Sequence, residues 1–177
     1  MLHLYNASED NLKRMKALGL IWGVQDGPYF GGERLQREEG VEKAKGLPPI
    51  VTALRLGLTV AGGTDAHRVS SYNPFVALQW YLDGTTIGGV KTRGDAEAPS
   101  RRQALEMYTR NSAFMANDDG RRGTLEPGKF ADLAVLSADY LTAPVGEIGK
   151  IRSVLTMVGG KTVFAAQPFE KLAGTGH

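Results

Sequence analysis

The sequence predicts a mixed α/β fold, with βα units over the first two thirds and an all-β last third. Three observations carry this. Residues 1–24 read as strand, helix, strand, a spacing that implies a parallel pair with a right-handed crossover. Residues 58–61 (LTVA) are an apolar run rich in strand formers, as in a strand buried on both faces of a parallel sheet. Residues 151–158 and 161–164 read as two further strands joined by Gly159-Gly160, a two-residue hairpin signal.

The elements follow in order. Residues 1–5 form a short apolar strand. Ser8 is the N-cap of a helix carrying Leu12, Met15 and Leu18 at spacings of three, and Gly19 closes it at the C′ position. Residues 20–24 (LIWGV) are the next strand, stopped by Gln25-Asp26-Gly27-Pro28. Residues 29–47 read as a glycine-punctuated loop whose charged run, 33–45, is a solvated face or a short surface helix. Pro48 and Pro49 open a helix through Leu56. The strand at Leu58 comes next, and Gly62 and Gly63 end it. Asn73-Pro74 starts a helix over 75–82, and residues 83–98 read as a loop. Ser100 and Gln103 make a capping box for a helix carrying Leu105, Tyr108 and Ser112, which runs with a break to Ala116. Pro127-Gly128 is a turn, and residues 132–136 (DLAVL) are a strand.

Composition narrows the function classes. The chain of 177 residues is 42% hydrophobic, enough for a real core. A net charge of +2 gives no reason to propose nucleic acid or an acidic membrane surface as partner. With no cysteine, disulfides and thiolate metal sites are excluded. No apolar run approaches the ~20 residues that span a bilayer, and residues 1–10 lack the regions of a signal peptide. The expectation is a soluble, cytoplasmic protein.

Few residues can carry chemistry. The stretch 57–65, GLTVAGGTD, puts Asp65 at the C-terminal end of a buried parallel strand, where α/β proteins and barrels place active sites. The competing reading is that Asp65 caps the next turn. Of the three histidines, His177 is the last residue and is assigned no function. His3 falls near the end of the first strand, and parallel strands would set it on the same rim as Asp65. An imidazole nitrogen and a carboxylate oxygen suit zinc or a similar divalent ion; a purely structural His3 is the other reading. Two groups fall short of the three protein ligands usual for catalytic zinc, and no other residue has the spacing to complete the set. A P-loop and a G-x-S-x-G elbow are absent. Asp26 is read as a turn former rather than a rim residue, and Trp22, Trp80 and Tyr108 as core.

Longer segments carry a resemblance. Gly63-Thr64-Asp65-Ala66 is similar to a Gly-Ser/Thr-Asp signature at the end of an eighth barrel strand. Residues 123–136, GTLEPGKFADLAVL, closely match the pattern Gly-x-Leu-x-Pro-Gly-Lys-x-Ala-Asp-Leu-x-Val-Leu. Residues 104–109 resemble the helix before that segment, and residues 154–164 the hairpin after it. His3 with the helix to Gly19 is similar to a strand-six histidine segment. On these residues, over about 2–164, the chain resembles the C-terminal part of a metal-dependent amidohydrolase, in the branch of the N-substituted formamide deformylases.

The resemblance implies a (β/α)8 barrel fused to a small β-sandwich. Residues 1–117 would supply the last βα units, 118–167 a C-terminal piece of the sandwich, and 168–177 a loose tail. It implies hydrolysis of non-peptide C–N bonds in small amide-type substrates by a metal-activated water. Asp65 would ligand the metal and carry a proton from water to the leaving amine, His3 would ligand the metal or polarise the carbonyl, and His67 would touch substrate. The expected ion is zinc, held weakly or not at all by the isolated chain, because the family's His-x-His pair, bridging lysine and strand-five histidine are absent from these 177 residues. The expectation is an incomplete hydrolase, completed by an N-terminal partner chain or found as a homo-oligomer. The alternative is a non-catalytic remnant serving as an oligomeric binding or structural module.

Overall fold

Two strands of a parallel sheet set the frame of the site. β1 (Trp22–Gln25) and β2 (Val60–Gly63) pair in register from Trp22↔Val60 to Gln25↔Gly63. The computed structural model describes residues 1–66 and 70–173. Leu2 adds one parallel bridge to Gly23, with the Gly23 N–H donating to the Met1 carbonyl at 2.9 Å. The strand expected over 1–5 is therefore a single bridge, because His3 turns into left-handed backbone at φ 57°. β2 lies further along than the apolar run suggests: Gly62 and Gly63 belong to it rather than ending it. A side chain at Gly62 would bring Cβ to 2.7 Å from the Tyr108 ring, so the strand passes the ring only as glycine.

The helices pack around this pair. α1 (Glu9–Ala17) starts where the Ser8 Oγ accepts the Asn11 N–H at 3.3 Å. It buries Leu12 and Met15, whereas Leu18 lies past its end and is exposed, contrary to the expected stripe. The segment read as a loop, with a short surface helix as the alternative for its charged run 33–45, is mostly helical: α2 (Gly27–Glu39) and α3 (Val41–Ala44) fill it. α2 buries only Pro28 and Gly32, so it lacks the apolar periodicity that marks a helix in sequence. α4 (Ile50–Arg55) follows Pro49. α5 (Pro74–Asp83) is capped by Asn73, whose Oδ1 accepts the Phe75 N–H at 3.0 Å. α6 (Arg101–Tyr108) has the Ser100–Gln103 capping box, and a break at Thr109 leads into α7 (Arg110–Met115).

α7 also seals the sheet. The Asn111 Nδ2 donates to the Val60 carbonyl at 2.9 Å and the Ser112 Oγ to the Gly62 carbonyl at 3.0 Å. These are the β2 carbonyls that face away from β1, so side chains satisfy part of an edge that would otherwise be open.

After α7 the chain forms an antiparallel meander of β3 (Leu133–Leu136), β4 (Ser153–Val158) and β5 (Lys161–Ala165). Gly159 and Gly160, at φ 57° and 80°, make the expected hairpin turn. The connection between β3 and β4 reaches back to the helices. Tyr140, Ile148 and Ile151 join one hydrophobic cluster with Trp22, Val60 and Trp80. The Arg101 guanidinium holds this connection by donating to the Tyr140 and Ala143 carbonyls, each at 2.5 Å. Among the described residues no helix is long and apolar enough to cross a membrane.

Candidate active site

The C-terminal ends of the parallel strands bring His3, Asp26 and Asp65 to one rim. His3 Nδ1 lies 3.7 Å from Asp65 Oδ2, across 62 positions of sequence. Asp65, like His3, has left-handed backbone, at φ 55°. That conformation costs a non-glycine residue about 1–2 kcal/mol and concentrates at functional sites. The two side chains are open to solvent, at 56% and 39% exposure. The His3 N–H donates to Gln25 Oε1 at 3.3 Å, which ties the histidine to the end of β1.

Beside this open pair is a closed carboxyl. Asp26 follows β1 directly and is fully buried. It occupies the N-cap position of α2 but makes no side-chain cap bond, so the turn-forming role expected for it is not what its side chain does. The Ser70 hydroxyl donates to Asp26 Oδ2 at 2.8 Å, while Oδ1 has no partner among the described residues. Burial, with a smaller contribution from the negative charge of Asp65, pushes its pKa up to about 6, against the lowering effect of Ser70. Tyr5 stands nearby, its hydroxyl pKa raised by burial and by the Asp26 and Asp65 charges.

A fully buried tyrosine fixes the strand ends beneath these groups. The Tyr81 hydroxyl donates to the Val24 carbonyl at 2.6 Å and accepts the Gly63 N–H at 3.3 Å. One side chain on α5 thus clamps the last turns of β1 and β2, two residues before Asp26 and Asp65 respectively.

The rim opens into a cleft of about 390 Å³. His3 and Asp65 line it together with Tyr5, Pro28 and Leu35. Arg34 and Glu38, also on its wall, pair with each other at 2.7 Å. Most of this wall belongs to α2, which is why the sequence did not reveal it. The available signal was Gly27-Pro28, since proline is favoured in the first turn of a helix.

As metal donors, His3 and Asp65 suit two neighbouring positions on one ion, whose bonds to nitrogen and oxygen would be about 2.0–2.2 Å. Among the described residues no group of three His, Cys, Asp or Glu side chains is placed to hold a metal. His67, the expected substrate contact, lies outside the described residues.

Comparison with known proteins identifies the family. The chain is 31% identical over 161 residues to the N-substituted formamide deformylase of Arthrobacter pascens, covering 89% of this chain and 29% of that protein. A solved structure of an uncharacterized metal-dependent hydrolase from Pyrococcus horikoshii OT3 superposes with a TM-score of 0.71 at 23% identity, over 82% of this chain and 30% of that one. Atrazine chlorohydrolase from Arthrobacter aurescens TC1, solved with zinc, superposes with a TM-score of 0.62 at 22% identity, over 93% of this chain and 35% of that one. The chain thus spans less than a third of the curated relative's length. The amidohydrolase family model matches residues 1–164, which include both the strand-end Asp65 and the Pro-Gly-Lys segment, and the chain belongs to the amidohydrolase family.

Proposed function

We propose that this chain carries part of the active site of an enzyme that hydrolyses the C–N bond of a small amide-type molecule. The observation behind this reading is the approach of His3 Nδ1 to within 3.7 Å of Asp65 Oδ2 at a solvent-open cleft, both on strained backbone. We read residues 1–117 as the last βα units of a (β/α)8 barrel and 118–167 as a piece of a β-sandwich. The rest of the catalytic set then comes from residues beyond these 177, in the same protein or a partner chain. The 29% share of the formamide deformylase supports this reading.

In the mechanism, the oxygen of water bonds to the carbonyl carbon while Asp65 accepts a proton from that water. The C–N bond then breaks, and Asp65 returns the proton to the departing nitrogen. His3, beside it, either ligands the metal or polarises the carbonyl oxygen as negative charge develops there. Asp65, with His3 where it acts as a ligand, would hold a divalent ion such as zinc, which would supply the Lewis acidity that makes water nucleophilic at neutral pH. His67, two positions beyond Asp65, is assigned a contact to substrate.

The test is hydrolysis of an N-substituted formamide by the protein that contains this chain, with and without Asp65→Asn. The amide keeps the shape of the carboxylate but cannot accept the proton, so kcat should fall about 10²-fold or more. An Asp65→Asn protein that keeps most of its rate would make Asp65 a turn former and overturn the reading.

A further inference from the structure

Helix α2 contains three glycines, at positions 27, 31 and 32, although glycine is the least favoured residue of a helix interior after proline. Two of them have a packing reason. A Cβ on Gly27 would collide with the Tyr5 hydroxyl. One on Gly32 would lie 2.8 Å from Thr92 Oγ1 and 2.9 Å from Thr86 Cγ2. Gly31 has no such reason: a Cβ built there meets no atom within 4 Å. Its backbone is not left-handed, so conformation does not require glycine either. Gly31 instead lines the cleft that His3 and Asp65 open into, on the helix face it shares with Pro28, Leu35 and Glu38.

The geometry points to Gly31 as the residue that sets how large a group the cleft admits beside the His3–Asp65 pair, with an uncharged, carbon-rich amide substituent as that group. This rests on the reading of the pair as a hydrolytic centre. The wall chemistry supplies the second half of the inference. Tyr5, Pro28 and Leu35 present carbon surface, and Arg34 and Glu38, on the α2 wall opposite the pair's own Asp65 carboxylate, neutralise each other at 2.7 Å. An anionic substituent would face the Asp65 carboxylate and meet a guanidinium already paired to Glu38. A neutral one fills the space that a side chain at position 31 would occupy.

The experiment measures binding of N-cyclohexylformamide by amide NMR shifts, to the wild-type chain and to Gly31→Ala and Gly31→Leu, with thermal melts of all three. Binding should weaken stepwise with side-chain size, by about tenfold or more for Gly31→Leu. Gly31→Ala should melt no lower than wild type, since its Cβ meets no atom within 4 Å and alanine favours the helix. N-formylglycine, which carries a carboxylate, should bind the wild type more weakly than N-cyclohexylformamide. Unchanged affinity in Gly31→Leu, failure of the wild type to bind N-cyclohexylformamide, or a Gly31→Ala chain that melts lower would each overturn the inference. If Gly31→Leu does not fold, the sign of the Gly31→Ala effect decides. Hydrolysis is scored separately, in the protein that contains this chain: stepwise loss of binding with no turnover there would leave Gly31 as the size gate and remove the hydrolytic reading.

Discussion

The Ser70 hydroxyl donates to Asp26 Oδ2 at 2.8 Å, and the carboxyl it holds is fully buried on the rim that carries the open His3–Asp65 pair. One rim therefore holds two aspartates in opposite environments. Asp65 is solvated and faces the cleft, whereas Asp26 is sealed under it with one oxygen unpartnered among the described residues.

That burial has a pH consequence. Unfolded, the Asp26 carboxyl titrates near 3.8; folded, it titrates at about 6. Between those values the folded state binds the extra proton, so the stability it favours is present at low pH and is lost as pH rises towards about 6. Asp26→Asn, neutral throughout, should flatten this slope and raise stability at pH 7 by up to roughly 2 kcal/mol. Urea melts from pH 4 to 7.5 read both effects. An Asp26→Asn chain with the wild-type slope would assign the pH dependence to another group.

Removing the Tyr81 hydroxyl should loosen the rim. Tyr81→Phe keeps the ring but leaves the buried Val24 carbonyl without its donor and the Gly63 N–H without its acceptor. A loss of about 1–3 kcal/mol is expected in chemical denaturation. Hydrogen exchange should rise at Val24, Gly62 and Gly63 ahead of the rest of the sheet. Uniform acceleration across the whole chain would instead mean that the hydroxyl does nothing specific for the strand ends.

Zinc affinity follows from the number of donors. His3 and Asp65 provide two, and the described residues offer no third arranged with them. The purified 177-residue chain should therefore retain well under one zinc per molecule after dialysis against a chelator, and His3→Ala should weaken what remains. Stoichiometric zinc after that wash would point to ligands outside the described residues.

β5 is one of the two edge strands of its sheet and exposes Val163 and Phe164, while Val158 is exposed at the end of the neighbouring strand. Edges with apolar side chains recruit further strands. The isolated chain should self-associate at high concentration, and Phe164→Lys should shift it towards monomer in light scattering. A wild-type chain that stays monomeric across a wide concentration range would show that this edge is inert.

Reading the residues alone captured what is local. Ser8 and Ser100 cap the helices they were expected to cap, Asn73 stands where a helix was expected to start, and Gly159-Gly160 turns the hairpin, because each of these bonds closes within a few residues. The rule that parallel strands share a rim also foretold that His3 and Asp65 would lie on one side. The sequence did not show α2, whose exposed face carries no apolar rhythm and whose glycines imitate a loop. Nor did it show Asp26 buried under Ser70, 44 positions away, or Asn111 and Ser112 sealing β2 from about 50 positions further along. Caps and turns are decided by neighbours in the chain. Burial, the satisfaction of a strand edge and the walls of a cleft are decided by which distant segments meet, and only the folded chain brings those segments together.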